Sequence, residues 1–236
     1  IFSADDFSYL GYFGSYGTGE GQFDSPLSIC SDGEFLFIAD CQNSRIQKFT
    51  LSGEFVSKIG SLGSGDDQFY APICIKYYDG KLYICDFGNS RLKVHLASDL
   101  SFVGSHSLGY SPVGCWIDAE KQVILVSTWT AFYFYNLLNY SPVKNKTGLP
   151  SAYGILLIDN YIFRSEHQNH KIARYNYSDL SNAGYYEPGQ GSLPGQLNYP
   201  YHLNFWPERN LILVANSASP YYIVGITPDL KFQSNP

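Results

Sequence analysis

Residues 21–60 read GQFDSPLSICSDGEFLFIADCQNSRIQKFTLSGEFVSKIG, and residues 67–104 repeat them. The copies align from Gln22-Phe23 with Gln68-Phe69, through Pro26 with Pro72, to Asp40, Asn43 and Arg45 with Asp86, Asn89 and Arg91. A unit of this length cannot bury its apolar face alone, so copies must stack and share a core. Three worn copies follow. The position of Asp40 and Asp86 falls to Thr128, Glu166 and Asn216, at intervals of roughly 40–50 residues. The fourth copy echoes the polar set as Glu166, Asn169 and Lys171; the third has Thr128, Ala131 and Tyr133, and the fifth Asn216, Ser219 and Tyr221.

Within a copy the pattern is that of short strands. Residues 26–31 form a first strand, Asp32-Gly33 is a hairpin turn signal, and residues 35–39 are apolar without alternation. A strand apolar on both faces must be covered on both faces. Its counterparts are residues 82–85, 123–126, 161–163 and 211–215, and strands at 45–49 and 55–59 complete the unit. Four short strands per unit and no helical period describe a propeller blade. Residues 9–14 align with 55–60, so they read as an outer strand of a blade completed elsewhere; residues 230–233 read as the outer strand of the fifth copy. The leads carrying Gly17, Gly19 and Gly21, and their repeats at 63–69 and 189–197, open strands rather than helices. They read as linkers and not as phosphate cradles, which need a helix N-terminus.

The Gly-rich lead, Gly-Gln-Phe, the proline three residues on, the apolar second strand and Asp-x-x-Asn-x-Arg together resemble the NHL repeat family. The resemblance implies a six-bladed β-propeller filling residues 1–236 as a single domain, with a five-bladed ring as the alternative. It also implies a use as an interaction module in sensor ectodomains and adhesion proteins. Some NHL-like propellers are zinc lyases, which draws attention to His167, His170 and His202. These histidines stand at variable loop positions without counterparts in other copies, so no metal, cofactor or catalytic residue is expected from them. The polar sets at Asp40, Asn43, Arg45, Asp86, Asn89, Arg91, Glu166, Asn169 and Lys171 recur once per copy, as a structural device does and an active site does not.

The net charge of −6 and a charged fraction of only 15% argue against a nucleic-acid partner, which needs a basic face. No apolar run reaches membrane-span length. Residue 1 is Ile, so a processed chain or part of a larger one is expected. The sequons at Asn139, Asn145 and Asn176 point to an extracellular or cell-surface glycoprotein. Of five cysteines, Cys74 and Cys85 flank the turn Asp79-Gly80, and counting outward sets them opposite one another. Two readings stay open for them: a cross-strand disulfide, or two small buried side chains. Tyrosine is abundant, at 21 residues. The third and fifth copies trade the polar set for Trp129, Tyr133, Tyr221 and Tyr222, which nominates their loops as a contact surface, since aromatics anchor interfaces. The expected function is a non-catalytic scaffold binding a protein partner. A lectin-like propeller binding a glycan, and a metal-dependent propeller lyase or hydrolase, are the alternatives.

Overall fold

The computed structural model describes residues 9–191, 193, 196–216 and 223–231. It divides into two compact units, residues 1–111 and 112–236. In the first unit, β1 (Ser15–Tyr16) and β2 (Gln22–Phe23) make a small parallel pair. One blade follows as β3 (Pro26–Ser31), β4 (Phe35–Asp40), β5 (Arg45–Thr50) and β6 (Phe55–Ile59), and a second as β7 (Pro72–Tyr78), β8 (Lys81–Asp86), β9 (Arg91–Leu96) and β10 (Phe102–Ser107). The second unit holds β11 (Gly114–Asp118), β12 (Val123–Ser127), β13 (Phe132–Asn136) and β14 (Pro142–Lys146) as blade 3. Blade 4 is β15 (Ala152–Ile158), β16 (Tyr161–Glu166), β17 (Lys171–Asn176) and β18 (Asn182–Tyr186). Blade 5 shows β19 (Pro200–Trp206), β20 (Leu211–Asn216) and β21 (Ile223–Ile226). Each is an antiparallel meander in chain order. The blade architecture follows from chemistry repeated in sequence. The second strands β4, β8, β12 and β16 are buried almost throughout, as their two-sided apolar runs require.

The blade count is five among the described residues, so the six-bladed expectation gives way to its alternative. The proposed orphan strand at residues 9–14 does not form: only a single-residue bridge at Tyr9 is present there. Gly11 and Gly14 sit at φ 146° and 86°, which breaks an extended run. Phe13 instead packs as a plug on Phe23 and Phe49, with ring centroids 6.3 and 5.1 Å away. For residues 230–233, Leu230 has φ 67° at the end of a turn, and 232–233 lie outside the described residues.

The glycine-rich leads are a recurring loop. Parallel bridges close it at Tyr16 with Phe23, Leu62 with Phe69, and Gln190 with Leu197. In each the glutamine of Gly-Gln-Phe or its equivalent folds back, so that its amide oxygen accepts the N–H of Gly19, Gly65 or Leu193 at 2.9–3.1 Å. A Cβ at Gly17, Gly63 or Gly191 would collide with that oxygen, which explains the repeated glycine.

Blades are tied to their neighbours inside each unit by equivalent devices. From the fourth position of the third strand, Lys48 donates to the carbonyls of Ala97 and Ser98 at 3.0 and 2.8 Å. Arg174, at the matching place in blade 4, donates to Pro228 at 3.0 Å. Ser127 and Ser165 hydroxyls reach the Tyr153 and Tyr201 carbonyls of the next blade. Apolar layers fill the space between: Phe37, Phe69, Ile75 and Leu82 between blades 1 and 2, and Leu125, Phe134, Leu157 and Ile162 between blades 3 and 4.

Cys74 does face Cys85, and Tyr78 faces Lys81, as counting from the turn requires. The two sulfurs are not joined: all five cysteines carry thiols, and Cys74 and Cys85 are buried.

Candidate functional site

Asp40 is fully buried at the end of β4. Its Oδ1 accepts the Asp24 N–H at 2.8 Å; its Oδ2 accepts from Asn43 at 2.9 Å and from Arg45 Nε at 2.7 Å. The other two Arg45 nitrogens donate to the carbonyls of Thr18, Gly19 and Gln22 at 2.6–2.8 Å. Asp86, Asn89 and Arg91 repeat this: Asp86 accepts from the Tyr70 N–H and Arg91 Nε, both at 2.7 Å, and Arg91 reaches Ser64, Gly65 and Gln68. Each set is a latch that fastens the glycine-rich loop onto its own blade. All three nitrogens of each arginine are engaged within the chain, so the latch presents little to a ligand.

Blade 4 keeps part of it. Asn169 donates to Glu166 at 3.2 Å, but Lys171 lies 3.6 Å from Glu166, pairs with Glu187 at 2.9 Å and covers the Tyr185 ring. The buried cation has moved to Arg164 on β16, which donates to the carbonyls of Pro150, Thr128 and Trp129. Burial pulls the Arg164 pKa down to about 10, which leaves it charged at neutral pH. Blade 5 keeps the acceptor: Asn216 takes the Asn198 N–H at 2.9 Å, as Asp40 takes that of Asp24, and the positions matching Asn43 and Arg45 lie outside the described residues.

Where the latches weaken, aromatic residues gather. Trp129, in the loop between β12 and β13, is 48% exposed, and the Trp129 carbonyl also accepts the Ala152 N–H at 2.9 Å. The loop between β16 and β17 supplies His167 and His170, Tyr199 immediately precedes β19, and Tyr201 lies near the start of that strand. Tyr153 and Tyr201 stack with centroids 4.2 Å apart. The His167 ring lies 5.1 Å from Tyr153 and 5.0 Å from Tyr199; His170 lies 4.5 Å from Tyr199. His202 meets Tyr201 at 4.7 Å. All belong to the second unit and to the end of its blades where first strands begin and second strands finish.

The backbone here is that of the intact copies with larger side chains placed on it. Tyr199 has φ 51° and His170 has φ 52°. The matching residues in blades 1 and 2 are small: Ser25 and Ala71 for Tyr199, Ser44 and Ser90 for His170. The left-handed conformation thus belongs to the repeat, and Leu100, Tyr140 and Leu180 adopt positive φ in other hairpins; what is particular here is the aromatic side chain the loop displays. His170 Nδ1 accepts the Tyr199 N–H at 3.1 Å, and His167 Nδ1 is buried without a partner. Burial lowers the pKa of both imidazoles, opposed at His167 by a hydrogen bond to the Pro200 backbone and aided there by His170. Both rings are therefore uncharged at neutral pH. His167, His170 and His202 do not form a group with ligating atoms close enough to share a metal ion.

Of the nominated contact residues, Trp129 is on this surface and Tyr133 is half-buried within β13. Tyr221 and Tyr222 lie outside the described residues. Tyr153, His167, Tyr199 and Tyr201 were not nominated as a cluster; the intact copies carry Leu27 and Ile73 where Tyr153 and Tyr201 stand and Ser25 and Ala71 where Tyr199 stands, whereas the His167 position already holds Phe87 in the second copy. Asn139 and Asn145 are exposed, and Asn176 donates to Ser181 at 2.8 Å.

No family model and no curated protein sequence matches the chain. Solved structures do match. The WD40 β-propeller domain of Doa1 superposes with TM-score 0.65 at 12% identity, over 88% of this chain and 66% of that one. A chain of the mitotic checkpoint complex gives 0.61 at 10%, over 88% and 62%. Kuenenia stuttgartiensis hydrazine synthase gives 0.62 at 10%, over 91% and 70%. The chain thus spans about two thirds of the length of these structures. At such identities the likeness is one of fold: an all-β propeller of four-stranded blades.

Proposed function

We infer that the chain is a non-catalytic interaction module of NHL-like repeats, and that the aromatic end of residues 112–236 docks a protein partner. The observation that carries this reading is the exposed Tyr199 beside His167 and His170, with exposed Trp129 on the same end. Aromatic residues with few rotatable bonds supply contact area at low entropic cost, and interfaces take their anchors from them. The similar WD40 propeller folds support the reading, one of them being part of a checkpoint complex. An extracellular setting is supported by the exposed sequon asparagines Asn139 and Asn145, and a glycosidase-sensitive mass on the native protein would test it.

The docking test takes a protein partner isolated with this chain as bait and compares the wild type with a double variant, Trp129→Ala with Tyr199→Ala. Alanine suits the second position, since Ala71 holds that conformation in blade 2. Affinity by calorimetry should fall at least about tenfold, roughly 1.4 kcal/mol, with the melting temperature unchanged. Unchanged affinity would overturn the assignment.

A further inference from the structure

The other end of the second unit's blades carries a cleft of about 290 Å³. It is lined by Trp116 and Phe205, both half-buried, and by Asp118, Glu120, Lys121 and Asp159 from the first hairpin turns of blades 3 and 4. A volume at the small end of ligand pockets, roughly 300–1,000 Å³, suits one side chain rather than a large cofactor. The charges do not balance. Lys121 is held by Asp118 through its backbone N–H at 2.8 Å and its ammonium at 3.3 Å, and the ammonium leans toward the Tyr177 ring at 5.5 Å. Glu120 and Asp159 are exposed, and their carboxylates enter no ion pair among the described residues. The cleft therefore combines aromatic surface with two carboxylates that no cation neutralises.

This combination selects its occupant. An anion would be repelled, and a purely apolar group would bring Glu120 and Asp159 toward desolvation without a partner. A cation gains from both walls: the aromatic faces attract it, and the carboxylates pair with it. A guanidinium does so best, because it is planar, stacks on indole and forks onto a carboxylate. We propose that this cleft binds an arginine side chain presented by a polypeptide partner. The site is separate from the aromatic end and stands whether or not that end docks a protein.

The test titrates N-acetylarginine methylamide, with the near-isosteric but neutral N-acetylcitrulline methylamide as comparison, into protein carrying 5-fluorotryptophan. The three tryptophans, 116, 129 and 206, give separate fluorine signals, assigned by Trp→Phe variants. The arginine probe should move the Trp116 signal saturably, and the citrulline probe should bind at least tenfold more weakly. Glu120→Gln with Asp159→Asn should weaken the arginine probe at least tenfold; Asp159 sits at φ 51°, which asparagine tolerates. Glu34→Gln with Glu54→Gln, exposed carboxylates in the other unit, should change nothing. Equal response to both probes, a shift at Trp129 or Trp206 without Trp116, equal loss in the distant pair, or no saturable shift would each overturn the proposal.

Discussion

The latch at Asp40 separates two kinds of ion pair. Arg45 is 5% exposed and Asp40 is 0% exposed, so Arg45→Ala strands a buried carboxylate. Urea unfolding should show a loss of about 3 kcal/mol. Lys171 pairs closely with exposed Glu187 and only at 3.6 Å with buried Glu166, which keeps donors from Asn169 and Tyr175, so Lys171→Ala should lose about 1 kcal/mol, less than Arg45→Ala. Histidines set the response to acid. His95 lies between Phe69 and Phe102, its Nδ1 faces the Leu100 carbonyl, and its Nε2 is buried without a partner. Burial lowers its pKa, opposed by the Leu100 carbonyl; Lys93 and Arg91 lower it further and Asp67 raises it. Like His167 and His170, it is a base whose folded pKa lies below the unfolded 6.5. The unfolded chain then binds more protons, so stability holds above about pH 6.5 and falls as pH drops through that value toward the folded pKa. His95→Phe should flatten this slope in urea titrations at successive pH values. The substitution fits, because Phe49 fills the same place in blade 1, between Phe23 and Phe55. An unchanged slope would remove His95 from the account.

At the scale of elements, Arg164 couples blade 4 to the Trp129 loop. Arg164→Met should lower stability by about 3 kcal/mol and speed hydrogen exchange at the Ala152 and Leu149 amides, which donate to Trp129 and Thr130. Exchange at those amides equal to wild type would show that the loop does not depend on Arg164. Strands were the legible part of the sequence, because burial on both faces writes itself as apolar runs such as 35–39, and turns as Asp-Gly pairs. The failure at residues 9–14 is instructive: their letters match 55–60, but strand formation also needs backbone angles, and Gly11 and Gly14 take positive φ. The latch was legible because it repeats. The relocation of its cation from the third strand to Arg164 was not, since nothing in the spacing marks a side chain that reaches across to a neighbouring loop. The aromatic cluster was legible only as composition: Trp129 could be nominated from a degenerate copy, but the stack of Tyr153 on Tyr201 joins residues of different blades.

Across the whole molecule, five blades repeat one design with a graded departure. The first unit holds two complete latches, while among the described residues of the second unit Glu166 keeps part of one, Arg164 takes over the buried cation, Asn216 retains the acceptor role and aromatic side chains gather at that end. The central claim is that this departure marks the surface where a protein partner docks. Amide hydrogen exchange with and without the captured partner tests it most directly. The account predicts protection on binding at residues 128–131, 167–170 and 198–202. Protection confined to residues 9–111, with those three segments unchanged, would contradict it.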